Sequence, residues 1–246
     1  MLGMLKYLLR GAMLALESRF TGRRDVVNLP NGKTVIVRSG LSSSTSLEEI
    51  VAKELVPYWE AHHPAPGEVH LDVGAQIGSY SMLAASSNAI VYALEPDPNN
   101  RRFLKRNLSN NHLSVSVTNV GAWNAPAILS FRSHGALSSI KGVGTIPTTL
   151  PFHDQIKVDR IDHIVKSLGI EKVDVIKMDI EGAEIEALEG ARETILKDRP
   201  VLLIEAYHIR DGQPTLERVL AVLRNFGVSD NAVVVTAKTL VVVRNY

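Results

Sequence analysis

The chain has 246 residues, 45% of them hydrophobic, which suits one α/β domain or one such domain with an N-terminal addition. Its 27 basic and 26 acidic residues leave a net charge of +1, which gives no electrostatic argument for nucleic acid as a substrate. No cysteine is present, so disulfides, thiolate catalysis and cysteine-ligated zinc are excluded, and a cytoplasmic location is expected. No apolar run reaches the length that spans a bilayer.

Residues 1–20 form an apolar segment in which Lys6 and Arg10 are interspersed. A secretion signal carries its charges before the apolar core, so this segment is not expected to be one. An amphipathic helix is predicted instead. It is expected to pack on the domain or on a second subunit of a homodimer, or alternatively to rest on a membrane surface with both cations near the head groups.

Two further elements precede the main domain. Residues 25–38 predict a β-hairpin with Asn31-Gly32 at its turn. A helix is expected next, and Pro57 should kink or split it. These elements predict an N-terminal extension over residues 1–66 and a second domain over residues 67–246.

From residue 67 onward, strand-like and helix-like segments alternate, which predicts a mostly parallel sheet with helices on both faces. Strands are expected near 69–73, 90–94, 114–120, 173–178 and 201–206, and helices near 77–87, 97–110, 159–168, 182–197 and 214–226. Residues 125–150 interrupt this alternation and are expected to form a hairpin and a loop over the active site. Two β-branched runs within residues 232–243 predict a terminal hairpin, which is unlike a dehydrogenase.

The first strand and the turn after it predict a nucleotide-binding site. Gly74 and Gly78 follow the strand and permit a tight turn and close packing of helix on strand. About twenty residues later, Glu95 ends the second strand, where a carboxylate accepts hydrogen bonds from ribose hydroxyls. Gln76 stands where a dinucleotide site needs a glycine, which disfavours NAD.

Asp72 indicates which nucleotide is bound. It ends the first strand just before the turn, where it would repel a pyrophosphate but suit an ammonium or sulfonium group. S-adenosylmethionine has a ribose, a cationic sulfur and an amino acid tail, and it has no phosphate. It is therefore the predicted cofactor.

A polar segment after the third strand is a candidate for adenine recognition. Asn119 could bond the edge of the base, and Gly121 and Ala122 could lie near its face. An ordinary turn cap is the alternative interpretation of Asn119, and the sequence does not decide between the two.

Carboxylates crowd the junction after the fourth strand. Asp179, Glu181 and Glu184 fall within six positions, and crowding raises the pKa of a carboxyl group, which favours a role as base. Glu184 also fits the first turn of a helix, where the dipole favours an acid. Lys177 precedes them in an apolar strand and is expected to pair with one of these three carboxylates.

The fifth strand ends with Glu205 and is followed by His208. In a cleft, His208 could take a proton from a hydroxyl nucleophile, and the alternative is a histidine on a surface loop. Asp179 and Glu205 could instead hold a divalent metal through oxygen ligands, but two carboxylates are a weak signal, and no residue is assigned to a metal site.

Three segments resemble the FkbM-type methyltransferases, which are class I enzymes dependent on S-adenosylmethionine. They are Asp72–Tyr80, Leu94–Pro98 and Val175–Glu184, and the resemblance covers about residues 67–210. It implies a Rossmann-like, seven-stranded sheet with the cofactor at Asp72, Gly74, Glu95 and the loop 119–122. It also implies an acceptor site near Asp179, Glu181 and Glu205. Asn is usual in the family where this chain has Gln76.

We therefore expect an O-methyltransferase that acts on a hydroxyl of a sugar, lipid or natural product. Asp179 or His208 would remove the hydroxyl proton, assisted by Glu205 and Glu181. Two alternatives stay open at this point. One is an NAD-dependent oxidoreductase, and the other is a non-catalytic protein that binds S-adenosylmethionine or acts as a scaffold.

Overall fold

The computed structural model describes residues 23–39, 55–133, 138–143, 154–236 and 239–246. The predicted helix within residues 1–20 and the predicted start of the helix before Pro57 lie outside these ranges. Among the described residues, no helix combines the length and the hydropathy needed to cross a membrane.

Fifteen strands lie within the described residues. They are β1 (Arg23–Asn28), β2 (Thr34–Ser39), β3 (Val69–Val73), β4 (Ile90–Leu94), β5 (Ser116–Thr118), β6 (Gly121–Ala122), β7 (Ala127–Arg132), β8 (Ser139–Ile140), β9 (Asp154–Asp159), β10 (Val175–Met178), β11 (Val201–Glu205), β12 (Ile209–Arg210), β13 (Gln213–Pro214), β14 (Val233–Val235) and β15 (Leu240–Val243).

The helices of the described residues follow the same chain order. They are α1 (55–61), α2 (Ser79–Ser86), α3 (Pro98–Asn110), α4 (Ile161–Ser167), α5 (Glu184–Glu189), α6 (Arg192–Asp198) and α7 (Leu216–Asn225), with a short 3-10 helix at Asp230–Ala232. Pro57 lies inside the helical residues 55–61, so the described part of the helix is not split at Pro57, and a kink stays a prediction.

The central sheet has seven strands in the order β14-β15-β11-β10-β3-β4-β5. The pairs from β11 to β5 are parallel, and β15 is antiparallel to both β11 and β14. The predicted α/β class, the mostly parallel sheet and the C-terminal antiparallel hairpin are thereby confirmed.

Both faces of this sheet are covered because apolar side chains along each strand point alternately to either side. One face packs Leu71, Ile176 and Ile204 against the helices α4 to α7. The other face packs Val91 and Leu203 against α1, α2, α3 and the hairpin β1–β2. Full burial of each such side chain stabilises the fold by about 1.5–3 kcal/mol.

The predicted hairpin is present as the antiparallel pair β1–β2, with Gly32 at a φ of 78° in its turn. The Asn31 amide donates to the hydroxyl groups of Ser86 and Ser87, which joins the turn to the end of α2. The hairpin therefore packs on the main sheet's helices, and whether residues 1–66 form a separate domain stays a prediction.

Two predicted elements differ from the structure. The third strand covers only Ser116–Thr118 rather than 114–120. The single helix expected at 182–197 is two helices, α5 and α6. The second begins anew because the carboxylate of Asp162, in α4, accepts hydrogen bonds from the first-turn N–H groups of Glu193 and Thr194.

The hairpin predicted within residues 125–150 is present, and strands on either side of that range extend it into a sheet. The antiparallel pair β7–β8 supplies the hairpin, and β6 and β9 join it in a second sheet of order β6-β9-β7-β8. The sequence did not predict β9, whose alternate residues Ile156 and Val158 pack against Phe131. The predicted loop over the active site falls mainly on residues outside the described ranges.

Candidate active site

Four neighbouring strands of the central sheet end at one edge, because they are parallel and adjacent in the order β11-β10-β3-β4. In that order, their ends carry Glu205, Asp179, Gly74 and Glu95. The residues predicted to bind a nucleotide and those predicted to act on an acceptor therefore lie in one row.

The turn after β3 requires its first glycine for two reasons. Gly74 has a φ of 77°, which favours glycine, and a Cβ placed on it would collide with the carbonyl oxygen of Asp179. Gly78, at a φ of 95°, precedes α2 and lies against the side chain of Leu104. The two predicted glycines thus allow the close packing of strand, turn and helix that was expected of them.

Glu95 lies beside this turn and is only 4% exposed. Its Oε2 accepts a hydrogen bond from the backbone N–H of Gln76 at 2.7 Å, and its Oε1 accepts one from the N–H of Asp97 at 2.8 Å. Burial raises the pKa of Glu95 to about 7, although these two hydrogen bonds oppose the rise. Each carboxylate oxygen retains a lone pair for a further donor such as a ribose hydroxyl.

Asp72 is fully buried, with 0% exposure. Its Oδ2 accepts a hydrogen bond from the Ser81 hydroxyl at 2.6 Å, and its Oδ1 lies 3.3 Å from the ammonium group of Lys177. Lys177 also donates to the carbonyl oxygen of Gly74 at 2.9 Å. Asp72 thus supports the turn indirectly, because it faces the ammonium group that binds the Gly74 carbonyl oxygen.

The sequence predicts that Lys177 pairs with Asp179, Glu181 or Glu184. In the structure its ammonium group lies 3.3 Å from Asp72, because the parallel register of β10 and β3 sets Lys177 directly beside Asp72, and its charge also opposes the rise in the pKa of Asp179. Side chains on the same face of neighbouring strands meet, whereas those at the end of β10 point beyond the sheet.

The predicted adenine-binding residues are divided between two environments. Asn119 is exposed and directly follows β5, next to Thr118, whose carbonyl oxygen accepts a hydrogen bond from the N–H of Glu95. Gly121 and Ala122 form β6, which pairs with β9, and Ala122 is only 4% exposed within the core. Asn119 is the one with a side chain that faces solvent.

The second group of predicted residues meets around His208, whose side chain is 2% exposed. Its Nδ1 lies 3.1 Å from Oε1 of Glu184, and its Nε2 lies 3.6 Å from Oδ1 of Asp179 and 3.7 Å from Oε2 of Glu181. The interpretation of His208 as a surface histidine is therefore wrong. We call Asp179, Glu181, Glu184 and His208 the carboxylate–histidine cluster.

Burial and mutual repulsion shift the proton affinities at this end of the sheet. Burial raises the pKa of Asp179, and it raises the pKa of Glu181 to about 8 and that of Glu205 to about 7. Burial lowers the pKa of His208, but the neighbouring carboxylates outweigh it and raise the value to about 9. Such shifts are typical of catalytic sites.

The candidate site includes Glu184, which the sequence analysis counted among the crowded carboxylates but did not predict as a site residue. It is the first residue of α5 and is fully buried, and its Oε1 accepts hydrogen bonds from the backbone N–H groups of Ile180 and Gly182. Its place among three carboxylates in six positions was the signal that could have identified it. Tyr58, which hydrogen-bonds to Glu205, had no such signal because it comes from α1.

The chain is similar in sequence to known methyltransferases. A family model described as the methyltransferase FkbM domain matches residues 72–229. Hexuronic acid methyltransferase AglP of Haloferax volcanii is 31% identical over 50% of this chain and 49% of its own length. The 2-O-methyltransferase NoeI of Sinorhizobium fredii is 23% identical over 90% of both chains.

The chain spans between a tenth and about half of the length of the first curated relatives that it matches. Among solved structures, the 16S rRNA N2 G1207 methyltransferase of Thermus thermophilus superposes with a TM-score of 0.52 at 14% identity, over 91% of this chain and 50% of that one. This likeness concerns the fold alone.

Proposed function

The chain belongs to the FkbM methyltransferase family, and on that premise we propose that it is an O-methyltransferase dependent on S-adenosylmethionine. One observation carries the proposal beyond the family. The turn that would bind the nucleotide lies at the end of β3. The carboxylate–histidine cluster lies at the end of the adjacent strand β10, so a methyl donor and an acceptor could meet between the two.

In the proposed complex, Glu95 accepts hydrogen bonds from the ribose hydroxyls. The turn from Gly74 to Gly78 lies beside the methionine part of the cofactor. Burial of Glu95 between two backbone N–H groups supports this role, because it holds the carboxylate in one orientation. Asn119 is placed to contact the adenine edge, since it follows the residue that pairs with Glu95. Asp72 and Lys177 act indirectly by supporting the Gly74 backbone.

The proposed reaction is an in-line displacement. The acceptor oxygen attacks the methyl carbon, the carbon–sulfur bond breaks, and S-adenosylhomocysteine leaves with the sulfur electron pair. The hydroxyl proton passes to a carboxylate of the site. Holding the oxygen, methyl and sulfur in line supplies much of the rate, and proton removal adds roughly 10²–10⁴-fold.

We assign proton removal to Asp179 rather than to His208, on geometry. The Asp179 side chain is 25% exposed at the end of β10, whereas the His208 side chain is 2% exposed and has carboxylates facing both ring nitrogens. Glu205 and Glu181 flank the site and are proposed to assist.

The proposed acceptor is a sugar or another natural product with a free hydroxyl group. Two relatives are named as a hexuronic acid methyltransferase and a 2-O-methyltransferase. Tyr207 supports an acceptor with a ring, because its side chain is 48% exposed beside His208 and offers an apolar face. A cytoplasmic location, contact of residues 1–20 with a membrane surface, and a homodimer remain predictions.

The test is calorimetric titration of the full chain with S-adenosylmethionine, S-adenosylhomocysteine and NAD. Saturable binding of both adenosyl ligands, reduced at least tenfold in Glu95→Ala, is expected. Binding of NAD alone would overturn the proposal. Incubation with hydroxyl-bearing sugars should then yield a product heavier by one methyl group, and binding without transfer to any acceptor would indicate a non-catalytic protein.

A further inference from the structure

Three buried polar atoms of the carboxylate–histidine cluster have no hydrogen-bond partner among the described residues. They are Oδ1 of Asp179, Oε2 of Glu184 and Nε2 of His208, whereas Nδ1 of His208 faces Oε1 of Glu184 at 3.1 Å. Glu184 is 0% exposed and His208 is 3% exposed, so water does not reach these atoms from bulk solvent. An unpaired buried polar atom costs about 1–3 kcal/mol, and the cost is greater for a charged group. Three such atoms at one point, unpaired among the described residues, are available to a bound ligand.

The spacing of these atoms suits a metal ion. One candidate ligand atom from each of Asp179, Glu184 and His208 lies within 4.8 Å of the other two. Ligand atoms about 2.1 Å from a shared ion lie roughly 3–4 Å apart, and Nε2 of His208 is 3.6 Å from Oδ1 of Asp179. Nε2 of His208 and Oδ1 of Asp179 are therefore already at the spacing of two ligands of one ion.

The charge of the cluster points the same way. Asp179, Glu181 and Glu184 place three carboxyl groups around one imidazole in a buried place, and a bound divalent cation would favour their ionised forms. Buried charges require a counter-charge. Mixed oxygen and nitrogen ligands suit first-row divalent ions such as Mn²⁺ and Zn²⁺ better than Ca²⁺, which prefers oxygen alone.

A second histidine–carboxylate cluster has its hydrogen bonds satisfied by its own residues. His62, Glu68 and His70 also lie within ligand distance of one another. There, Oε2 of Glu68 lies 3.0 Å and 3.1 Å from Nε2 of His62 and His70, and Nδ1 of His70 lies 2.9 Å from the Tyr80 hydroxyl. The interacting atoms satisfy one another, so this cluster is a hydrogen-bond network that needs no ion.

We propose that Asp179, Glu184 and His208 bind a divalent cation of the manganese-to-zinc series. Water or the acceptor oxygen would fill the remaining positions. Its catalytic use rests on the proposed methyl transfer: the ion would lower the pKa of the bound hydroxyl, and Glu205 would then accept the proton in place of Asp179. Binding of the ion does not depend on that function.

The experiment is a titration of the chelator-treated full chain with Mn²⁺, followed by electron paramagnetic resonance. About one tightly held Mn²⁺ per chain is expected, with nitrogen modulation from one imidazole in the pulsed spectrum. His208→Gln should abolish the nitrogen signal, and Asp179→Asn should weaken binding by roughly 10-fold or more. Glu184→Gln should do the same where circular dichroism shows that it folds. His62→Gln is the matched control and should bind Mn²⁺ like the unmodified chain.

Three results would overturn the metal site. They are absence of Mn²⁺ binding, binding unchanged in both Asp179→Asn and His208→Gln, and binding lost in His62→Gln. Calorimetry with S-adenosylmethionine distinguishes failure of the metal site from failure of the methyltransferase proposal. A chain that binds the cofactor but not Mn²⁺ refutes the metal site alone, and one that binds Mn²⁺ but no adenosyl ligand refutes the methyltransferase proposal alone.

Discussion

Gly74 and Asp179 touch through their backbones, at a distance that leaves no room for a Cβ on the glycine. The N–H of Asp179 donates to the carbonyl oxygen of Val73, so the two strand ends are also hydrogen-bonded. The turn proposed to hold the cofactor and the residue proposed to act on the acceptor are therefore one rigid unit. Their separation is set by backbone contact rather than by flexible side chains.

Replacing Gly74 with alanine should disrupt both halves of this unit. Positive φ costs an alanine about 1–2 kcal/mol, and the collision with Asp179 adds roughly 1–3 kcal/mol more. Urea unfolding should show a loss of about 2–5 kcal/mol, together with loss of cofactor binding. Gly67→Ala is the control, since Gly67 also has a positive φ but open space around it. Equal losses in the two variants would show that the contact does not matter.

Affinity for S-adenosylmethionine should rise with pH through the pKa of Glu95, which is about 7. The ionised carboxylate accepts two ribose hydrogen bonds, whereas the protonated form loses an acceptor. Between about pH 6 and about pH 8 the ionised fraction rises roughly tenfold, so the dissociation constant should fall by about that factor. Calorimetry across this range is the measurement, and Glu95→Gln should remove the Glu95-dependent part of the change.

The raised pKa of Glu95 has the opposite effect on the stability of the fold, which should fall as pH rises. The folded chain keeps a proton on Glu95 that the unfolded chain releases above the ordinary glutamate pKa of 4.5. The contribution of this group to stability should therefore fall as pH rises from about 4.5 to about 7. Urea unfolding of the unmodified chain and of Glu95→Gln should diverge across that window. Parallel stability curves would contradict the raised pKa of Glu95.

Lys177→Met should be strongly destabilising. It leaves the carboxylate of Asp72 buried without its cation, which costs about 3–5 kcal/mol. The double variant Lys177→Met with Asp72→Asn should recover much of the loss, as urea unfolding would show. Lys172→Met serves as the control, since the Lys172 side chain is 65% exposed beside Asp174 and should matter little. A double variant no more stable than the single one would refute the pairing.

Asp179→Asn should lower turnover far more than cofactor affinity. Loss of the proposed base, or of an ion ligand, should reduce kcat by roughly 10²–10⁴-fold, while the dissociation constant of S-adenosylmethionine stays within about threefold because Glu95 and its contacts are unchanged. Stopped-time assays on an identified acceptor, with calorimetry, measure the two effects. The exposed Glu217→Gln is the control. Full activity of Asp179→Asn would refute both proposed roles of this residue.

Much of this architecture could be predicted from the sequence because its signals are local. Strand-like and helix-like segments alternate along the chain, which indicated a parallel sheet. The strand segments are continuous apolar runs because such strands are buried on both faces. The turn residues Gly74 and Gly78 and the strand end at Glu95 were recognisable because each depends on its own neighbours in the chain. The terminal hairpin followed from two β-branched runs in the same way.

Only the tertiary structure decided which side chains meet across strands. The pairing of Lys177 with Asp72 depends on the register of β10 beside β3, and the contact of Glu184 with His208 depends on β11 lying beside β10. The second sheet likewise needs β9 to insert between β6 and β7. Strand order and register result from packing of the whole core, so residue spacing along the chain carries no direct record of them.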